Sequence, residues 1–215
     1  MKKILFLGII VSLFTASCSN TQLISSWRAP DATISSYNKV LIVGMTGSKD
    51  RELRETIEDA VAKRLQDQGV SVETSTQRFG PKSFRTMSEE DAVRTVNDNG
   101  FDAVMVVALL DKNQESNYTP GYISSTPYAV VRNRWYGNYT VLYDRVYNPG
   151  YYTTTTNYTL EADFYRTRGD KLIYSAQAKS FDPNSAADLA GDFSKTVVQD
   201  MIGKGVLTRT KGGGS

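Results

Sequence analysis

Residues 39–74 read KVLIVGMTGSKDRELRETIEDAVAKRLQDQGVSVET, and this stretch predicts the fold. The segment Lys39–Met45 is a short apolar run rich in branched side chains, which is typical of a buried strand. Residues 51–68 predict an amphipathic helix, and 70–76 a second strand. The apolar residues of the helix recur at every fourth position: Leu53, Ile57, Val61 and Leu65.

The pattern repeats over the next 36 residues, from 75 to 110. Ser88 is placed to cap a shorter helix that ends at Asn99-Gly100. Residues 101–110 form the most hydrophobic segment after the N-terminus, as expected for a central strand covered on both faces. The order β-α-β-α-β predicts a parallel sheet with helices on both sides.

Two further segments complete the predicted fold. Residues 158–166 and 171–181 alternate apolar and polar side chains around the turn Arg168-Gly169-Asp170, which predicts a β-hairpin. A last helix carries Leu189, Phe193, Val197 and Met201 at four-residue spacing. We therefore expect one α/β domain over 37–208, a three-layer sandwich of β-α-β-α-β, a Tyr-rich insertion, a β-hairpin and a C-terminal helix. The tail 209–215 is expected to be flexible.

The insertion, residues 112–157, is rich in Tyr, Asn, Thr and Gly and poor in aliphatic side chains. Tyrosine and tryptophan are rigid, amphipathic residues that dominate interface hot spots, and arginines are interleaved with them. One interpretation is a binding surface; the other is a long β-excursion whose tyrosines pack on each other, or an irregular loop. The candidate partner-binding residues are Tyr122, Tyr128, Arg132, Arg134, Trp135, Tyr136, Tyr139, Tyr143 and Tyr147.

Composition excludes several function classes. The chain has 25 Lys and Arg against 23 Asp and Glu, so it lacks the basic excess typical of nucleic-acid binding. It contains no His and one Cys, which removes the commonest general base and the Cys/His zinc sites. We expect no metal and no cofactor.

Catalytic candidates are weak. The loop Gly44–Asp50 lies where nucleotide folds bind phosphate, and Lys49 and Arg51 are the candidate cations for an anion there. However, no P-loop or GxGxxG spacing is present. Glu161 and Asp163 share one face of a predicted strand, an arrangement that hydrolases use but that also fits a solvated face. No serine-nucleophile motif occurs. We expect the protein not to be an enzyme.

Cys18 follows a charged and then apolar N-terminal segment. Lys2 and Lys3 precede the largely apolar run 4–14, and small residues lead into Cys18. One alternative is a transmembrane helix, but the apolar run is shorter than the about 20 residues that such a helix needs. A buried core cysteine is the other alternative. The segment resembles a bacterial lipoprotein signal, which implies removal of residues 1–17 and acylation of Cys18, with palmitate on its thiol.

The same resemblance gives a location. Residues 18–36 are expected to be a lipidated tether, in which Trp27 either packs on the domain or rests at the lipid interface. Because Ser19 rather than Asp follows Cys18, the lipoprotein sorting pattern implies the outer membrane, with the domain facing the periplasm.

The element order of 37–208 resembles uncharacterised envelope lipoproteins and, more distantly, the periplasmic α/β domains of penicillin-binding-protein activators and curli-secretion-type lipoproteins. The leading hypothesis is a non-catalytic accessory or scaffold lipoprotein that binds an envelope protein through its Tyr-rich insertion. A peptidoglycan- or glycan-binding module is the alternative, and a carboxylate-dependent hydrolase is the third.

Overall fold

The protein is a mixed α/β structure, as the sequence predicted. The computed structural model describes residues 20–30, 32, 37–47, 50–82, 84, 87–132, 139–169 and 171–207, with only the backbone over 126–132 and 139–144. The elements within these ranges are β1 (Thr21–Arg28), β2 (Val40–Met45), α1 (Arg51–Gln66), β3 (Val72–Thr74), α2 (Ser75–Phe79), α3 (Glu89–Asp98), β4 (Ala103–Thr119), β5 (Tyr122–Arg132), β6 (Tyr139–Asn148), β7 (Tyr151–Arg166), β8 (Lys171–Phe181) and α4 (Ala186–Gly203).

Six strands form one sheet in the order β1-β8-β7-β4-β2-β3. Strand β2 runs parallel to both β3 and β4, as the predicted strand-helix-strand units require. Strand β8 pairs antiparallel with β7, which confirms the predicted hairpin. Since β1 also pairs antiparallel with β8, the sheet has a parallel half and an antiparallel half.

Helices α1 and α4 pack together on one face of the sheet. The predicted four-residue stripes of both helices are buried in this core, because they meet the apolar faces of the strands. Ile42, Met105 and Phe164 supply the sheet side of the core. The ring of Phe164 meets that of Tyr37 edge to face, with centroids 4.9 Å apart.

On the opposite face, the described residues form a second, smaller apolar cluster over β2 and β4. Leu41 and Val43 of β2 pack there with Val96 of α3 and with Phe101. Helix α3 begins as predicted, since the Ser88 hydroxyl accepts the Asp91 N–H at 3.1 Å. The two helical layers thus enclose the parallel half of the sheet.

The prediction of a tether over 18–36 is wrong for its central part. Thr21–Arg28 forms the edge strand β1, and Ala29 and Ala32 are buried in the core. A bulge between Leu23 and Ser25 shifts the register with β8. Because a bulge interrupts the alternation of faces, this segment shows no period-two pattern in its sequence. The folded part therefore begins well before residue 37.

The chain divides into two compact units, residues 1–113 with 157–215, and residues 114–156. The second unit corresponds to the predicted insertion and is built from β-strands. Among the residues with described structure, no helix is both long and apolar enough to cross a membrane.

Candidate functional site

The unit 114–156 is a two-stranded antiparallel ribbon, called here the ribbon. The hydroxyl groups of Ser116 and Thr154 lie 3.2 Å apart across it. Two residues further out, the rings of Tyr118 and Tyr152 face each other with centroids 4.8 Å apart. Beyond them, β5 and β6 pair antiparallel, with Ile123 opposite Tyr147. The β5–β6 register shifts once, between Pro127 and Ala129. Thr and Tyr are frequent in this unit, as expected of residues that favour cross-strand pairing.

The ribbon exposes large apolar side chains. Ile123 and Tyr147, which are directly opposed, are 64% and 68% exposed. Two strands alone have no second layer against which to bury a face, and an isolated hairpin is only marginally stable in water. Exposed apolar patches mark interaction sites in many proteins, and the opposed pair Ile123 and Tyr147 forms one on this face of the ribbon. The other exposed members are Tyr118, Tyr122, Val146, Tyr151 and Tyr152.

The predicted binding residues fall into three groups. Tyr122 and Tyr147 lie on the exposed surface of the ribbon. Tyr128, Arg132, Tyr139 and Tyr143 lie in β5 and β6, where the structure gives the backbone only. Arg134, Trp135 and Tyr136 lie outside the described residues.

The aliphatic part of this surface was not predicted from the sequence. Ile123 and Val146 are exposed beside the tyrosines, but a single aliphatic residue in a polar segment carries no signal in sequence. The alternative, tyrosines packed on each other, applies to Tyr118 and Tyr152, yet both rings remain more than half exposed. Mutual packing therefore leaves more than half of the surface of these two side chains exposed.

Two glycines allow the ribbon strands to pass closely at one point. A Cβ on Gly121 would lie 2.7 Å from both the Asn148 oxygen and the Gly150 nitrogen, which are backbone atoms. A Cβ on Gly150 would collide with the Tyr118 hydroxyl. Only glycine fits at these two positions, so the path of the ribbon depends on them.

The carboxylate pair predicted as a hydrolase candidate lies on β7 in the other unit. Burial raises the pKa of Asp163, a hydrogen bond from the Ser175 side chain lowers it, and the neighbouring charge of Glu161 raises it, so the net direction is upward. The Gln177 amide also donates to Glu161. Both carboxylates are therefore engaged with side chains of the neighbouring strand β8.

In the described part of the loop Gly44–Asp50, residues 44–47 and 50, a backbone donor that a phosphate would need is already used. The Gly44 N–H already donates to the Glu58 carboxylate at 2.8 Å. Lys49 lies outside the described residues, while Arg51 is paired with Glu55 at 2.7 Å. Within the part of the chain that the structure describes, no group of three or more His, Cys, Asp or Glu side chains is arranged to hold a metal ion.

A cavity of about 490 Å³ lies between α3 and the sheet face formed by β2, β4 and the end of β7. Val43, Val104 and Val96 line it, and Tyr165 and Glu89 are among its polar groups. Burial and the nearby Asp163 raise the pKa of Tyr165. This cavity could not be predicted from the sequence, because its lining comes from segments far apart in the chain.

No protein-family model matches this sequence, and no curated protein matches it. Solved structures show a distant similarity. A PelC dodecamer from Paraburkholderia phytofirmans aligns at TM-score 0.46 and 8% identity, over 82% of this chain and 94% of that chain. Lipoprotein GNA1162 from Neisseria meningitidis aligns at TM-score 0.43 and 14% identity, over 77% and 99%. A PDZ domain protein from Parabacteroides distasonis aligns at TM-score 0.37 and 8% identity, over 91% and 39%.

Proposed function

We propose that this chain is a non-catalytic lipoprotein of the cell envelope, anchored through Cys18, whose ribbon binds an envelope protein. The observation that carries the proposal is the exposed, directly opposed pair Ile123 and Tyr147 on a ribbon that cannot bury them. The anchor follows from the lipoprotein-like segment that ends at Cys18.

A protein partner fits the chemistry of β5 and β6 best. Aliphatic and aromatic side chains are exposed together there, which suits apolar packing against another protein. Both strands of a two-stranded ribbon also have one edge free for pairing with a further strand, the mode known as β-augmentation. Rigid tyrosines lose little side-chain entropy on binding.

Glycan binding is the second candidate, and a specific arrangement favours it. Tyr118 and Tyr152 adjoin a ladder of hydroxyl and amide groups formed by Ser116 with Thr154 and by Gln114 with Thr156. Aromatic rings stack on sugar faces, while such polar groups bond sugar hydroxyls. This candidate places the ligand on the inner part of the ribbon rather than at Ile123 and Tyr147.

A site-specific crosslinking experiment tests the partner. A photoreactive amino acid replaces Tyr147 in the full chain in living cells, and a second strain carries it in place of Leu110, an equally apolar position that is 50% exposed outside the ribbon. We expect one defined envelope protein to be crosslinked from position 147 and not from 110. Ile123→Ser should abolish that adduct.

Two results would overturn the protein-partner proposal. Adducts of the same protein from both positions would place the contact elsewhere. The absence of any adduct from position 147 would mean that no partner protein contacts the ribbon there. Sedimentation with purified peptidoglycan separates the second candidate, since Tyr118→Ser with Tyr152→Ser should then release the protein from the sacculus.

The proposed anchor and location have their own test. Cys18→Ser should move the protein from the outer-membrane fraction to a soluble periplasmic fraction, since the acyl chains are lost. Retention in the membrane would contradict the anchor and leave the ribbon proposal to be decided by crosslinking.

A further inference from the structure

The folded sheet begins almost at the proposed acylation site. Ser19 alone separates Cys18 from Asn20, so the two Cα atoms lie within about 7 Å of each other in any conformation. Asn20 is fixed to the sheet, because its carbonyl accepts the Phe181 N–H at 2.9 Å. Its own N–H donates to Asp192 at 3.2 Å. No tether long enough to hold the domain away from acyl chains on Cys18 is present.

The strand that follows exposes apolar side chains. Ile24 is 55% and Trp27 47% exposed, and Leu23 is also exposed. They lie on β1, which is an edge strand of the six-stranded sheet. An exposed apolar edge strand is a hazard in water unless something covers it. Thr21 and Trp27 are about 20 Å apart along the strand. The exposed apolar residues of β1 therefore begin near Cys18 and extend away from it.

We propose that the β1 edge lies against the periplasmic surface of the outer membrane, with Leu23, Ile24 and Trp27 in the interfacial layer. This inference rests on the proposed acylation of Cys18. The acyl chains would hold β1 at the lipid surface by its first residue, and the short connection leaves the edge strand as the nearest part of the folded unit. Tryptophan prefers the membrane–water interface because its ring is amphipathic.

Neighbouring residues fit a lipid surface as well. Phe181, beside Asn20, is 38% exposed, and the Lys179 ammonium lies 5.2 Å from its ring centroid. A lysine in such a place extends its charge toward headgroups while its stem covers apolar surface. Close to Asn20, the cations Arg64 and Lys195 are matched by Asp188 and Asp192. Since these charges balance, the contact should depend on apolar burial and little on salt or on anionic lipid.

Fluorescence of Trp27 in the acylated protein tests the proposal. The chain has two tryptophans, so Trp135→Phe leaves Trp27 as the reporter. The acylated full-length product is reconstituted in vesicles of phosphatidylethanolamine and phosphatidylglycerol, with or without brominated acyl chains. The matched control carries Trp27→Phe, Trp135→Phe and Lys63→Trp, which places the reporter on the exposed side of α1. Intact mass first establishes whether Cys18 carries lipid.

We expect emission from Trp27 to be shifted to the blue, quenched by brominated lipid and protected from aqueous acrylamide, with no change at high salt. The Lys63→Trp reporter should show the opposite behaviour. Equal acrylamide access for both reporters would overturn the proposal. Protection of Trp27 without quenching by brominated lipid would overturn it in favour of β1 pairing between copies. A mass without lipid would refute the anchor itself, which the quenching data do not address.

Discussion

The carboxylate of Glu58 accepts a hydrogen bond from the backbone N–H of Gly44 at 2.8 Å, and this bond joins α1 to the end of β2. Glu58 is fully buried. Its two oxygens also accept the Ser75 hydroxyl at 2.7 Å and the Thr76 N–H at 3.0 Å. A buried carboxylate is tolerated only when donors surround it, and here the first turn of α2 supplies two of them. The glycine that resembled part of a phosphate loop is therefore a packing residue.

Gly44→Ala should destabilise the protein by about 1–3 kcal/mol, because overpacking a well-filled site forces shifts of this cost. The added Cβ would lie 2.5 Å from Cγ of Arg54 and 3.2 Å from the Glu58 side chain. Urea unfolding followed by circular dichroism measures the change. Gly191→Ala is the matched control, since no atom lies within 4 Å of its Cβ position in α4. That variant should gain about 0.5–1 kcal/mol from helix propensity. Equal stability of the two variants would contradict the packing argument.

Gly121→Ala should disrupt the ribbon while leaving the larger unit folded. Its Cβ would meet backbone atoms of Asn148 and Gly150, which have no side-chain freedom to move away. Limited proteolysis should then cleave within 114–156 faster than in the unmodified protein, and the crosslink from position 147 should weaken. The thermal midpoint of the larger unit should change little; a large drop would show that the ribbon supports the whole fold. Gly169→Ala is not a suitable control, because its φ of +84° makes that substitution strained in itself.

Tyr174→Phe should lower the free energy of unfolding by about 1.5–3 kcal/mol, the usual range for a hydrogen bond to a charged group. The buried Tyr174 hydroxyl donates to the Asp200 carboxylate at 2.8 Å, tying β8 to α4. Burial, followed by this bond to Asp200, raises the pKa of Tyr174 above its ordinary value. The stabilisation is therefore complete below the ordinary pKa of about 10 and is lost as pH rises toward the folded-state value. Denaturation at pH 7 and pH 11 checks both parts. Tyr152→Phe, at an exposed ring, should leave stability unchanged at either pH.

Asp163→Asn should reduce the pH dependence of stability in mildly acidic solution. Because burial and Glu161 raise the pKa of Asp163, the folded state binds a proton more tightly than the unfolded state. The contribution of Asp163 to the free energy of unfolding is fully present below its ordinary pKa of about 4. It is lost as pH rises through the raised pKa of the folded state. Unfolding measured from pH 3.5 to 7 should give a flatter profile for the variant. Glu161→Gln should flatten the profile as well, since it removes the charge that acts on Asp163; a profile unchanged in both variants would contradict the coupling.

The helices and the central strands were predictable because their signals are local. The four-residue stripes that begin at Leu53 and at Leu189 are buried as expected, since a helix that packs on a sheet needs one apolar face. The β7–β8 hairpin was predictable for the same reason, with alternation placing Leu160 and Phe164 inward. Strand β1 was not predictable. Its partner β8 lies about 150 residues away, and its bulge removes the alternation that would identify it.

The binding surface was predictable as a region and not as a set of contacts. Clustered tyrosines indicated the segment. That Ile123 lies opposite Tyr147, and Tyr118 next to Tyr152, follows only from the register of the ribbon. The packing role of Gly44 could likewise not be predicted from the sequence, because it depends on contacts with Arg54 and Glu58 of α1.

By itself, the sequence determined the α/β class, the faces of its main helices, the position of the Tyr-rich segment and the lipoprotein-like context of Cys18. Those properties depend on residues close together in the chain, where periodicity and composition record them. Tertiary structure alone decided that Trp27 lies on an exposed sheet edge beside the proposed anchor and that Glu58 lies buried against Gly44. Both depend on pairing and burial between distant segments, which no local pattern encodes.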